Sequence, residues 1–156
     1  MDLKKLTTGE RIMAVTAVLL VIDLFALPWH RISVGIGAFE FTSSRTGVES
    51  PNGLVGLLAA LLALAVLARI VLAEFTSVAL PVLPVPWERA DLIAGAGVAA
   101  LVLLKLALET SYLSIGAWLA VILAGGMAYG GYVRSREPHP GTAVMPTTGS
   151  PEATAS

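Results

Sequence analysis

Three single charges interrupt otherwise apolar runs of this chain: Asp23 in VIDLFALPWHR, Arg69 in VLARIVL and Lys105 in LVLLKLAL. A charge costs about 2.5–3.5 kcal/mol at the centre of a bilayer, so proton relays and ion paths are sought first at such residues. A relay needs several polar groups at successive depths. Between the ends of these runs the chain offers Thr16 and almost nothing else. Asp23 stands five residues before Pro28, and Lys105 three before Leu108. At 1.5 Å per helical residue, both fall roughly 5–8 Å from the same end of two helices that run in the same direction. The expectation is therefore a structural ion pair, Asp23–Lys105, with snorkelling of Lys105 to the surface as its rival. Arg69 belongs near the opposite boundary, at a depth shared with Glu74, Asp91 and Arg11. There it joins a charge cluster or meets lipid headgroups.

Catalytic constellations are missing from the sequence. There is no Cys, which removes thiolate metal sites and Cys nucleophiles, and His30 and His139 are too far apart to suggest a metal site. No zinc-ligand run, GxSxG, P-loop or strand-following GxGxxG occurs. The expectation is a protein that is not an enzyme, with no cofactor, no metal and no identifiable small-molecule substrate.

Four apolar blocks must position these charges: residues 12–29, 54–73, 92–108 and 113–133, the first three with one charge each and the last with none. About 20 helical residues cross a hydrocarbon core of ~30 Å, so each block qualifies with small end adjustments. The blocks are uniformly apolar and rich in Ala and Leu, unlike the alternating segments of a spanning barrel. The first block is too long for a signal-peptide core, and LFA puts Leu where a cleavage site needs a small residue. Its start is marked by Thr7 and Glu10 at capping-box spacing. Gly95 and Ala99 on the third helix, and Gly126 and Gly130 on the fourth, have the small-xxx-small spacing that lets helix backbones approach closely in lipid.

The whole composition agrees. Charged residues make up 13% of the 156, about half the ~25% typical of soluble domains, and mean hydropathy is +0.81. A net charge of −1 gives no reason to expect nucleic acid. Lys4, Lys5, Arg11, Arg69, Arg89, Arg134 and Arg136 fall on one side of the spans, against Arg31, Arg45 and Lys105 on the other. The excess of Lys and Arg places both termini in the cytoplasm. Trp29 and Tyr112 then fall at the outer interface, and Trp87, Tyr129 and Tyr132 at the inner one.

Between the first two spans, RISVGIG and AFEFTSS alternate apolar with small or polar residues, which predicts a short outer β-hairpin turning near Gly35 to Gly37. It serves either as a cap on the bundle or as a binding surface. Pro81, Pro84 and Pro86 predict an extended inner connection before Trp87. The short connection near Glu109 to Tyr112 makes the last two helices an antiparallel pair. Residues 135–156, rich in Pro, Thr, Ser, Gly and Ala, are expected to form a disordered tail.

LFALPWHRISV and SIGAWLAVILAGGMAYGGYVRSRE resemble an uncharacterised group of small four-span bacterial membrane proteins, with an LPW segment after helix one and a GAWL-like opening to the last helix. The likeness runs from Thr8 to about Glu137, and this chain has His30 where that group often has Tyr. It implies a bacterial cytoplasmic-membrane location and no activity or site.

The sequence thus describes an all-α membrane protein: a four-helix transmembrane bundle over residues 1–134, with a small extracytoplasmic hairpin. Its partners are the lipid bilayer and, through helix contacts, itself or another membrane protein. The leading function is a structural, accessory or regulatory membrane component. The alternative is a small transporter or channel subunit that works as an oligomer.

Overall fold

In the structure, a computed structural model, residues 6–36, 39–49, 52–76, 84–110 and 113–137 are described, with the backbone alone at 34, 36 and 39–41. The chain folds as α1 (Thr8–Ala26), β1 (Pro28–Ile36), β2 (Phe39–Thr46), α2 (Gly53–Phe75), α3 (Trp87–Leu108) and α4 (Ile115–Arg136). Each helix packs against its chain neighbours, and α4 closes the ring against α1. Among the described residues, α2, α3 and α4 are long and apolar enough to cross a membrane. Helix α1 differs in carrying Glu10, Arg11 and Asp23 within 19 residues.

The capping box forms as expected: Thr7 Oγ1 accepts from the Glu10 amide at 3.3 Å, and Glu10 Oε2 accepts from the Thr7 amide at 3.1 Å. Several boundaries differ from the apolar blocks. Helix α1 stops at Ala26, because Pro28 pushes Leu27 out of helical geometry (φ −94°, ψ 145°). Helix α3 starts five residues earlier than its apolar block, directly after Pro86, since a charged first turn is no obstacle to a helix. Helix α4 starts at Ile115 rather than Leu113, which is bridged to His30. It continues through Ser135 and Arg136, the first two residues of the segment expected as a tail. Most of the tail, Tyr112 and residues 81–83 of the inner connection lie outside the described residues.

The hairpin is present and longer than expected. β1 and β2 pair antiparallel from Pro28↔Thr46 to Ile36↔Phe39, with a bulge at the base. Gly35 does not turn the chain; it sits within the ladder opposite Glu40.

The core contains many small residues. Ala17, Ala59, Ala60, Ala63, Ala117, Ala120 and Ala124 are buried, along with Met13, Leu20, Val98, Val102 and Met127. A Cβ at Gly95 would stand 2.9 Å from the Met127 carbonyl oxygen, and one at Gly130 would stand 2.9 Å from the Met13 amide nitrogen. One at Gly126 would meet the Thr16 methyl at 2.8 Å. These glycines let α4 lie backbone-close to α1 on one side and to α3 on the other. Ala99 is partly buried against the same core.

Candidate functional site

The charged side chains inside the bundle gather at its two ends. At the end where α1 begins, each helix contributes one residue: Glu10 from α1, Arg69 from α2, Asp91 from α3 and Arg134 from α4. They alternate in sign and close a ring. Arg69 grips Asp91 with its guanidinium fork, Nε standing 3.1 Å from Oδ1 and Nη2 bonding Oδ2. Its Nη1 reaches Glu10 Oε1 at 3.3 Å. Arg134 completes the circuit through Glu10 Oε1 and, at 2.8 Å, Asp91 Oδ2. All four are buried or nearly so, with side-chain exposures of 1% to 14%.

Glu10 in the first turn of α1 and Arg134 in the last turn of α4 also suit the helix dipoles there, while Asp91 and Arg69 lie further inside α3 and α2. The Trp87 ring stacks 5.8 Å from the Arg69 guanidinium, and the Gly9 amide donates to Glu137 Oε1 at 3.0 Å, tying the start of α1 to the end of α4.

At the other end the arrangement is organised around an aromatic ring. Trp29, expected as an interfacial anchor, is only 1% exposed. The β1 bulge places its indole between α1 and α4, in space left by two glycines: a Cβ at Gly47 would lie 2.8 Å from the ring, and one at Gly116 would lie 3.0 Å from it. Indole Nε1 donates to Asp23 Oδ2 at 3.0 Å. Lys105 Nζ stands 5.6 Å from the centre of the same ring. It donates to Glu109, one turn further along α3, at 3.1 and 3.2 Å, and to the Asn52 carbonyl at 3.4 Å. His30 Nε2 lies 3.2 Å from Glu109 Oε2.

Asp23 and Lys105 are thus brought to the same end of the bundle, as their depth required. Lys105 bonds the Glu109 carboxylate and Asp23 accepts from Trp29, so both expected partners meet the same indole. Asp23 Oδ1 has no hydrogen-bond partner among the described residues. Glu109 escapes a reading by apolar blocks because it falls just past one. As the C-cap of α3 it is still within one helical turn of Lys105, and that i,i+4 spacing was the available signal.

At the other end, Arg69 and Asp91 meet as the sequence suggested. Glu10 and Arg134 complete their ring. In the sequence Glu10 shows only as a capping residue and Arg134 only as one of the topogenic charges, because those roles are visible locally and a ring closed by four helices is not.

Between the two ends the interior is apolar. The Thr16 hydroxyl donates to its own helix, to the Ile12 carbonyl at 2.7 Å, and its distance to the Met13 carbonyl is 3.2 Å. Among the described residues no group of three or more His, Cys, Asp or Glu is placed to hold a metal ion. No protein-family model matches the chain, and neither curated proteins nor solved structures provide a match.

Proposed function

We propose that the chain is a four-span protein of the bacterial cytoplasmic membrane with both termini cytoplasmic. In this reading it acts without catalysis, as a structural, accessory or regulatory component working through helix and loop surfaces. The observation that carries the reading is its inside-out polarity. Glu10, Arg69, Asp91, Lys105 and Glu109 are buried in paired clusters, and Asp23 is buried against the Trp29 indole. The exposed helix charges Arg11, Arg89 and Arg136 stand in end turns. The outward faces between carry large apolar residues, the pattern a lipid solvent selects.

Helix α1 fits this pattern despite its composition. Two of its three charges, Glu10 and Asp23, are fully buried, and Arg11 stands in its first turn. Val15, Val18, Leu19, Ile22 and Phe25 on its outward side are 41% to 55% exposed. Orientation follows from the excess of Lys and Arg on the side of the four-charge ring. The resemblance to small four-span bacterial proteins points the same way.

The apolar interior between the clusters supports a role without transport through the monomer, since an ion crossing it would meet no polar group to replace its hydration. Two measurements on the full chain test the proposal. In proteoliposomes, proton and potassium flux stays at the level of empty vesicles. Native mass spectrometry of nanodiscs cut directly from the membrane shows the chain together with another membrane protein. Flux that disappears in Asp23→Asn or Lys105→Met would replace this reading with an oligomeric transporter or channel. A partnerless monomer would contradict it.

A further inference from the structure

The two buried clusters differ in their charge balance. In the ring, the carboxylates of Glu10 and Asp91 are matched by the guanidiniums of Arg69 and Arg134. At the Trp29 end, the carboxylates of Asp23 and Glu109 meet one buried ammonium, Lys105. A buried charge without a counterion is costly. Within this cluster His30, itself buried, is the member that can supply the second positive charge by binding a proton.

The contact it makes depends on that proton. His30 Nε2 stands 3.2 Å from Glu109 Oε2, yet it has no hydrogen-bond partner among the described residues. A neutral imidazole in this position offers the carboxylate a misdirected N–H or a lone pair. An imidazolium offers a full charge, which attracts at low dielectric without needing alignment. The groups around His30 favour the charged form. Glu109 and Lys105 face it from α3, and Asp23 of α1 is bonded to the adjacent Trp29. On β1 its neighbour is Arg31; on β2 its ladder partner is Arg45, with Glu49 just beyond the strand. Leu113 and Ser114, ahead of α4, bring no charge. Arg31 and Arg45 oppose proton uptake but are exposed, so water and salt screen them. Inside the cluster two carboxylates outweigh one ammonium.

His30 also sits where the hairpin joins the helices. The Trp29 carbonyl accepts from the Ser114 amide at 2.8 Å, and His30 is bridged to Leu113, so the base of β1 lies against the connection from α3 to α4. Trp29 ties the hairpin to α1 through Asp23, and His30 ties it to α3 through Glu109. We propose that the His30–Glu109 contact is a proton-operated latch. With His30 protonated, the base of the hairpin is held to the end of α3. With His30 neutral that tie is released, while Trp29 keeps the hairpin on α1. The latch works between about pH 5 and 8, the range in which histidine changes charge. It goes beyond the membrane reading above and does not depend on it.

Because the chain has no Cys, spin labels at Thr42→Cys on β2 and Thr110→Cys just past α3, both exposed, report the distance between hairpin and α3. The full-length protein in detergent is measured by double electron–electron resonance at about pH 5 and about pH 8. The distance distribution should be several-fold wider at the higher value. In His30→Gln and in Glu109→Gln it should be wide at both. A second measurement needs neither variant to fold. His139→Gln leaves His30 as the sole histidine, and the ring nitrogen resonances of labelled histidine should change from neutral to imidazolium as the distribution narrows. Equal widths at the two values in the otherwise native chain would overturn the latch, as would a ring that stays neutral throughout. A response that survives in His30→Gln would also overturn it, and its loss in Asp23→Asn would then assign the proton to Asp23.

Discussion

The two ends of the bundle bury charge by different means. The end built from Glu10, Arg69, Asp91 and Arg134 is a ring in which every charge faces two of opposite sign, one residue per helix. The end built around Trp29 is a branched chain, Asp23 to the indole and Lys105 to Glu109 and His30, that draws on two helices and a strand. The ring locks four helices to each other. The branched chain locks the hairpin and the end of α3 to the bundle, and among the described residues it leaves one carboxylate oxygen of Asp23 without a hydrogen-bond partner. A closed ring fails as a unit when one member is removed, whereas a branched chain loses one link at a time.

The largest effect is therefore expected at the ring. Arg69→Met strands Glu10 and Asp91 with one arginine between them and should cost about 3–5 kcal/mol, as breaking a buried pair does. Denaturation in mixed detergent measures it. Arg69→Lys keeps the charge but not the two-pronged grip on Asp91, and should fall between.

At the other end, a double-mutant cycle between Lys105→Met and Glu109→Gln should return a coupling of about 1–3 kcal/mol, the range for residues in direct contact. The same cycle between Asp23→Asn and Lys105→Met should return a smaller coupling than the Lys105–Glu109 cycle, because the two meet through the shared Trp29 indole. A larger value there would restore the direct pair that depth alone suggested.

Smaller effects are expected along α4. Gly130→Ala sets a methyl group against the α1 backbone and should cost about 1–3 kcal/mol by overpacking. Gly125→Ala has open space around it and should be neutral or stabilise by up to about 1 kcal/mol through helix propensity. Equal effects at the two glycines would mean that α1 and α4 are not in close backbone contact.

The sequence was legible wherever the cause was local. The Thr7–Glu10 cap, the four helices and the alternation of the hairpin are all set within a few residues. Depth arithmetic correctly grouped Asp23 with Lys105 and Arg69 with Asp91, because rise per residue is fixed by helix geometry. What it missed depends on three-dimensional closure. Trp29 looked like an interfacial anchor until the β1 bulge and the gaps at Gly47 and Gly116 turned it inward. Glu109 and Arg134 stood outside or at the edge of apolar blocks, yet helix continuation brought both into buried clusters. Apolar runs indicate where lipid contact is affordable; they do not say where a helix stops.

The central claim is that α1 crosses the membrane because its buried charges are hidden from lipid. Single cysteines at Thr8 and at Ser43, both exposed and at opposite ends of α1 and the hairpin base, test it with a membrane-impermeant maleimide on intact cells. Ser43→Cys should react from outside, and Thr8→Cys only after permeabilisation. Reaction of both from the same side would show that α1 does not span and would contradict the account.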